Sequence, residues 1–247
     1  MKYKAICFDI DGTLYPIGTM NRRIFRLSVT HPIFGLRYRK ARREFRRHQA
    51  AFRQDIPFRW REAMIVRNGT GAEGEDVFSE ESFRARYGRT YDRLHRWVYD
   101  KMGKLYEKTT PFNGVAETFA KIKNNGLKIG VFTDFPLLHK LQAMNLEKYV
   151  DFAASSDDVG RLKPDTHCFE YLLYNLRMDP QDVLYVGDSY KKDIIGANDA
   201  GVDAVLVNVK GYKPGETEAR YPLAKAVFGT WDEFDRWLTA EMEDNRC

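Results

Sequence analysis

Four short stretches of this sequence hold residue types that do chemistry rather than packing. Asp9-Ile10-Asp11-Gly12-Thr13 sets two carboxylates two residues apart, directly after the short run Tyr3–Phe8. Just past a strand end, two acids at that spacing face the same general direction, and Gly12 lets backbone N–H groups approach an anion closely. Thr133-Asp134 ends a second apolar run. Gly187-Asp188-Ser189 ends another, with Asp193 five residues beyond Asp188. Lys163 lies in Gly160-Arg161-Leu162-Lys163-Pro164-Asp165, after a strand-like segment and before a helix-like one. Each residue alone also has a plain structural reading. A strand-end Asp caps helices and closes turns, Thr is common in strands, and Asp193 stands where it can cap the next helix. The five histidines, at 31, 48, 95, 139 and 167, form no metal-ligand spacing and read as surface or packing residues. Cys168 reads as packing.

The elements that position these residues follow from the apolar pattern. Leu127–Thr133, Phe152–Ser155, Val183–Gly187 and Ala204–Asn208 resemble Tyr3–Phe8 and read as buried strands. Gly114–Asn124, Thr166–Leu176 and Lys192–Ala200 are helix-like. Phe169, Leu172, Leu173 and Leu176 share one face, and Gly201 is placed to end the last helix. Strands alternating with helices give a parallel sheet covered on both faces. Open sheets of that kind bind ligands outside the carboxyl ends of their strands, where the candidate residues cluster. The alternation is interrupted from Ile17 to Lys108. Ala41, Phe45, His48 and Phe52 make one helical stripe there, and Phe83, Tyr87, Tyr91, Leu94, Val98, Met102 and Leu105 make a longer one. A structureless loop of that length does not suit a compact domain, so the insertion reads as helical, with the Gly-rich acidic run 68–76 as a loop inside it.

Composition excludes several classes. The 247 residues are 43% apolar, 14% aromatic and 30% charged, a globular rather than a disordered balance. No apolar run is long enough to span a membrane, and the N-terminus meets an acidic pair too soon for a secretory signal. Cys7, Cys168 and Cys247 are few and far apart, so a reducing, cytoplasmic setting is expected. The net charge of +5 conceals an asymmetry. From Arg22 to Arg61, 13 basic residues face two acidic ones, whereas from Thr109 onward 16 basic residues face 22 acidic. Arg37, Arg39, Lys40, Arg42, Arg43, Arg46 and Arg47 fall within eleven residues. The leading reading is a solvated helix face with some arginines paired to acids nearby. Steering of an anionic substrate, or contact with nucleic acid or an acidic membrane, are the alternatives.

Taken together, the four stretches resemble the motifs of the haloacid dehalogenase superfamily, most of whose members are Mg²⁺-dependent phosphatases. They occur in order: DxDGT at Asp9–Thr13, a Thr at a strand end, a Lys in a KPD context, and the acids of Gly187–Asp193. The likeness covers residues 3–16 and about 109–209. It implies an α/β, Rossmann-like parallel sheet of order 3-2-1-4-5. Residues 1–16 and 109–247 would form the hydrolase core, and 17–108 an all-helical cap. It implies Asp9 as a nucleophile that forms an aspartyl-phosphate, and Asp11 as the acid for the leaving alcohol and then the base for water. Gly12, Thr133, Asp134 and Lys163 would bind the phosphoryl group, Lys163 also offsetting the Asp9 carboxylate. Mg²⁺ is the implied cofactor, held by Asp9, Asp188 and the backbone carbonyl of Asp11. Two ionised acids side by side need a cation, and Mg²⁺ takes oxygen ligands. Ser189 and Asp193 would support the site from behind, Asp193 orienting metal waters or Lys163. Asp134 stands where relatives more often carry Asn, so only its N–H is expected to act.

The acid at position 11 separates the branches. True dehalogenases carry a non-acid there, and phosphonate-cleaving relatives also lack it. The expected function is therefore hydrolysis of a small phosphorylated metabolite, with a cap that excludes water and selects the leaving group. A sugar phosphomutase shares all four motifs and is the rival within the class. A non-catalytic relative that docks on nucleic acid or an anionic surface through its basic cap is the rival outside it. The intact acids and Lys163 argue against that second rival. The expected partner is a small-molecule phosphate ester, with no nucleic acid and no membrane span, for a monomer or homodimer.

Overall fold

A computed structural model describes residues 2–49, 56–68, 79–137 and 139–243. Phe52, and residues 69–76 of the expected loop, lie outside that set. Six parallel strands make one sheet: β1 (Ala5–Phe8), β2 (Lys128–Thr133), β3 (Phe152–Ser155), β4 (Val183–Gly187), β5 (Asp203–Leu206) and β6 (Ala226–Val227). Their order is β3-β2-β1-β4-β5-β6. The expected 3-2-1-4-5 arrangement is present, and β6 extends its edge. At two residues, β6 is too short to stand out as an apolar run.

Alternation along β1 shows why the strand is apolar on both faces. Ala5 and Cys7 pack with Cys168, Phe169 and Leu172 of α9 (Thr166–Leu176) on one side of the sheet. Ile6 and Phe8 pack on the other, where Phe8 stacks on Phe119 of α6 (Val115–Asn124) at 4.8 Å and meets Trp231 of α11 (Trp231–Glu243) at 6.0 Å. Phe8 is in register with Val131 of β2 and Val186 of β4. That register brings Asp9, Thr133 and Asp188 to the same edge of the sheet.

Between β1 and β2, helices make up most of the described residues from Ile17 to Tyr106 and form a cap. They are α1 (Ile17–Val29), α2 (Pro32–His48), α3 (Phe58–Asn68), α4 (Glu80–Leu94), a π-helical stretch His95–Lys101, and α5 (Met102–Tyr106). Proline at its first position starts α2. Ser79 and Ser82 cap the start of α4 reciprocally. Trp97 packs edge-on against Phe34 at 5.6 Å, and Trp60 stacks on Phe83 at 4.2 Å. The stripe on α2 differs from the expected one. Phe34, Tyr38, Ala41 and Phe45 are buried, and Gln49 follows them inward, while His48 is exposed. A step of four from Phe45 carries the buried face to Gln49, where two hydrogen bonds with the Leu162 backbone hold it. The remaining short helices are α7 (Lys140–Ala143), α8 (Ser156–Val159) and α10 (Ile195–Asp199). A π-helical turn, Tyr190–Ile194, precedes α10 where an ordinary helix is expected from residue 192. No helix among the described residues is long and apolar enough to cross a membrane.

Candidate active site

Asp9 sits at the centre of the strand-end cluster and is only 5% exposed. Its backbone N–H donates to the carbonyl of Val186, extending the β1–β4 pairing by one residue. Lys163, in the segment between β3 and α9, reaches under the site. Its Nζ donates to Asp9 Oδ1 at 2.6 Å, Asp193 Oδ1 at 2.5 Å and the Tyr185 hydroxyl at 3.1 Å. Burial alone would push the Lys163 ammonium down, but Asp193 and then Asp9 outweigh it and hold the proton firmly. Thr13 Oγ1 donates to Asp9 Oδ2 at 3.2 Å. Gly12 turns the chain with φ +106°, and a Cβ there would collide with the Asp188 carboxylate. Asn208 ties the same turn down by donating to the carbonyls of Gly12 and Thr13 at 2.8 and 3.0 Å.

Asp9, Asp188 and Asp193 bring carboxylate oxygens within 4.8 Å of one another. Three acids around one ammonium leave the cluster short of positive charge. Burial first, with Asp193, Asp188 and Asp11 adding to it, raises Asp9 to about 8 against the opposing pull of Lys163. Burial and then Asp193 raise Asp188 to about 6. An oxygen-only donor set with excess negative charge fits a hard divalent cation. Ser189 acts from behind: its N–H donates to Asp193 Oδ2 at 2.9 Å, leaving Oδ1 to Lys163.

Asp11 is engaged differently from its neighbour. Its Oδ2 accepts from Thr133 Oγ1 and from Lys140 Nζ, both at 2.7 Å, and Tyr15 donates to Oδ1. Lys140 is fully buried and lies 4.3 Å from the Tyr106 ring centre. Burial pushes the Asp11 carboxyl up, but the charge of Lys140 and the hydrogen bonds from Lys140, Tyr15 and Thr133 outweigh it. Its pKa ends below the usual carboxylate value. Thr133 thus touches Asp11 in this geometry.

The Asp134 side chain does more than its expected N–H role. Oδ1 accepts from the Lys163 N–H at 2.9 Å, and Oδ2 accepts from Arg46 of α2 at 2.7 Å. Burial is outweighed by Lys163, Lys192, Arg46 and Arg42, so the Asp134 carboxylate stays ionised far below the usual range. Arg42 donates to Glu62 at 2.7 Å and to the Asp134 carbonyl at 2.5 Å, and Arg46 also donates to the Lys163 carbonyl at 2.9 Å. Two of the arginine cluster therefore grip the loops that carry Asp134 and Lys163, and the rest of that cluster is exposed. The histidines join no site. Each has a short-range partner, such as Glu44 for His48 and Asp165 for His167. Cys168 is buried in the packing of α9.

Lys140, Tyr15 and Asn208 escape the sequence reading, whereas Arg46 belongs to the cluster in which some arginines are expected to pair with acids nearby. None of the first three sits in a motif, and a lysine seven residues past Thr133 carries no local sign that its ammonium is buried.

The order of the strands, the helices inserted after β1 and the acids at the strand ends define a capped parallel α/β fold with a charged, buried site. The chain belongs to the haloacid dehalogenase-like hydrolases, whose family model matches residues 3–201. It is 32% identical over 221 residues to a glyceraldehyde 3-phosphate phosphatase of Methanothermobacter thermautotrophicus, covering 83% of this chain and 85% of the other. It is 24% identical over 217 residues to a ribulose-1,5-bisphosphate 5-phosphatase of Halopiger xanaduensis, covering 82% and 83%. A magnesium-bound hydrolase of the same family from Bacillus subtilis matches in fold with a TM-score of 0.65 at 15% identity, over 97% of this chain and all of that one.

Proposed function

We propose that this protein is a Mg²⁺-dependent phosphomonoesterase that hydrolyses a small phosphorylated metabolite through an aspartyl-phosphate on Asp9. Residues 1–16 and 109–247 are its catalytic core and 17–108 its cap. The observation that carries this reading is the placement of a buried Asp9 against the Lys163 ammonium and beside two further acids. The phosphatase relatives support it, since each is named for a small phosphorylated substrate.

Asp9 attacks phosphorus, and the bond to the leaving oxygen breaks as the new P–O bond forms. The leaving oxygen takes a proton from Asp11. A water then gives its proton to Asp11 and attacks the phosphorus of the aspartyl-phosphate, releasing phosphate and restoring Asp9. Lys163 offsets negative charge on the phosphoryl group throughout, and Asp193 keeps it aimed. Gly12, Thr133 and the Asp134 N–H bind the phosphoryl oxygens. Asp9, Asp188 and the Asp11 carbonyl would hold Mg²⁺, which would supply the positive charge the acids lack. The Lys140 contact keeps Asp11 in its base form, so Asp11 serves as the acid only after it takes up a proton and leaves Lys140 for the leaving oxygen.

The test is release of inorganic phosphate from an aryl phosphate and from a panel of sugar phosphates, glyceraldehyde 3-phosphate included. The expected result is turnover that EDTA abolishes and that Asp9→Asn lowers by about 10³-fold or more. No hydrolysis of any phosphomonoester, or isomerised product without free phosphate, would contradict the proposal.

A further inference from the structure

Phe25, Val29, Ile33 and Leu36 are 62–68% exposed. They are four of the five large apolar side chains at least that exposed among the described residues, and they fall within one turn-linked pair of helices. Phe25 and Val29 are one helical turn apart on α1, and Ile33 and Leu36 one turn apart on α2. The helices meet at Ser28 and Gly35, where a Cβ on Gly35 would lie 3.3 Å from that of Ser28. The two apolar pairs therefore share the outer tip of the hairpin. Single exposed leucines are ordinary, but a group of this kind marks a contact surface.

The surroundings of the tip are basic. Arg22 and Arg26 continue the outer face of α1, and Arg37, Lys40 and Arg43 continue that of α2. All five are exposed and make no hydrogen bond or ion pair with the described residues. Glu44 is the only acid on either helix, and it is half-buried against Arg47. Arg42 and Arg46, the arginines that grip the core, point to the opposite side, so the outer row is not needed for the site.

We propose that this face of the α1–α2 hairpin docks on an anionic lipid bilayer. Charge complementarity selects that partner. A second copy meeting the same face would cover the apolar tip but set two arginine rows against each other. A nucleic acid would satisfy the arginines and leave Val29, Ile33 and Leu36 in water. An anionic bilayer takes both: the apolar tip enters the headgroup–acyl boundary while the arginines, extending along it, meet lipid phosphates. The helices then lie in the interfacial plane, with the strand-end site on the side of the cap held by Arg42 and Arg46.

The test is co-sedimentation of the full chain with sucrose-loaded vesicles at physiological salt. One set is phosphatidylcholine alone and the other contains about 30% phosphatidylserine. The expected result is binding to the anionic vesicles only. Phe25→Ser/Leu36→Ser and, separately, Arg37→Glu/Lys40→Glu/Arg43→Glu should each weaken it by about tenfold or more. Both variants should keep the parent's thermal unfolding and its hydrolysis of a soluble aryl phosphate. Failure to bind anionic vesicles overturns the proposal. So does binding that the serine pair leaves intact, a dimer that the serine pair dissociates, or an RNA gel shift without vesicle binding.

Discussion

Asp9 and Asp11 leave the same turn two residues apart, yet the fold gives them opposite electrostatic settings. Asp9 is buried and shares one ammonium with two other acids, and burial, with those acids, sends its pKa up. Asp11 has the Lys140 ammonium and two hydroxyls at hand, and its pKa goes down. Lys140 is thus a positioning residue for Asp11. Lys140→Met removes the charge that outweighs burial, so the Asp11 pKa rises. The limb of the pH–rate profile set by Asp11 should move to higher pH, with kcat down about tenfold or more and KM little changed. Lys140→Arg should restore part of kcat and the original limb. A Lys140→Met enzyme with the parent's pH profile would show that the contact does not govern Asp11. At this scale the sequence is legible where spacing carries the signal. Asp9, Asp11, Thr133, Lys163 and Asp188 are found because each ends an apolar run or follows one. The partners of Asp11 are not, because Lys140 and Tyr15 reach it through tertiary packing that no local pattern encodes.

At the scale of elements, α2 joins the cap to the loops that carry Asp134 and Lys163 through charge rather than through apolar contact alone. The Arg42–Glu62 pair is nearly inaccessible to water on both sides, and Arg42 also lies 4.9 Å from the Phe135 ring centre. Arg42→Ala would strand Glu62 as a buried, unpaired carboxylate, at a cost of about 3–5 kcal/mol. Arg43→Ala, one residue on but exposed, should change stability by no more than about 0.5 kcal/mol. Thermal unfolding of the two variants compares them directly, and equal effects would contradict the grip assigned to Arg42. The strands were readable because buried parallel strands are short continuous apolar runs. The α2 stripe was readable only as far as Phe45. An arginine-rich helix gives few apolar markers, so a polar Gln49 that faces inward and a His48 that faces out look alike in sequence. Arg42, buried through its ion pair, is likewise indistinguishable from its exposed neighbours until the structure aligns it with Glu62.

Across the whole molecule, the +5 net charge is the difference between a basic segment, Arg22–Arg61, and a mildly acidic stretch from Thr109 onward. The site has a measurable consequence for stability. Burial, with the neighbouring acids, pushes Asp9 up to about 8 and Asp188 up to about 6 in the folded chain, above the roughly 4 of an unfolded carboxyl. The stability they contribute is complete below about pH 4 and is lost as pH rises through those two values. In EDTA, the parent's Tm should therefore fall more steeply between about pH 5 and 9 than that of Asp188→Asn. Mg²⁺ should raise the parent's Tm more at the upper end of that window, where both acids are ionised, than at the lower. A Mg²⁺ effect independent of pH, or absent, would contradict the cation site. The proposed hydrolysis depends on Asp9 carrying the phosphoryl group. Borohydride reduction during turnover of an aryl phosphate, followed by peptide mass spectrometry, tests it most directly, because an aspartyl-phosphate is reduced to homoserine. Homoserine is expected at position 9, lost in Asp9→Asn and in EDTA. Steady phosphate release with Asp9 unmodified, or with the label at another carboxylate, would contradict it.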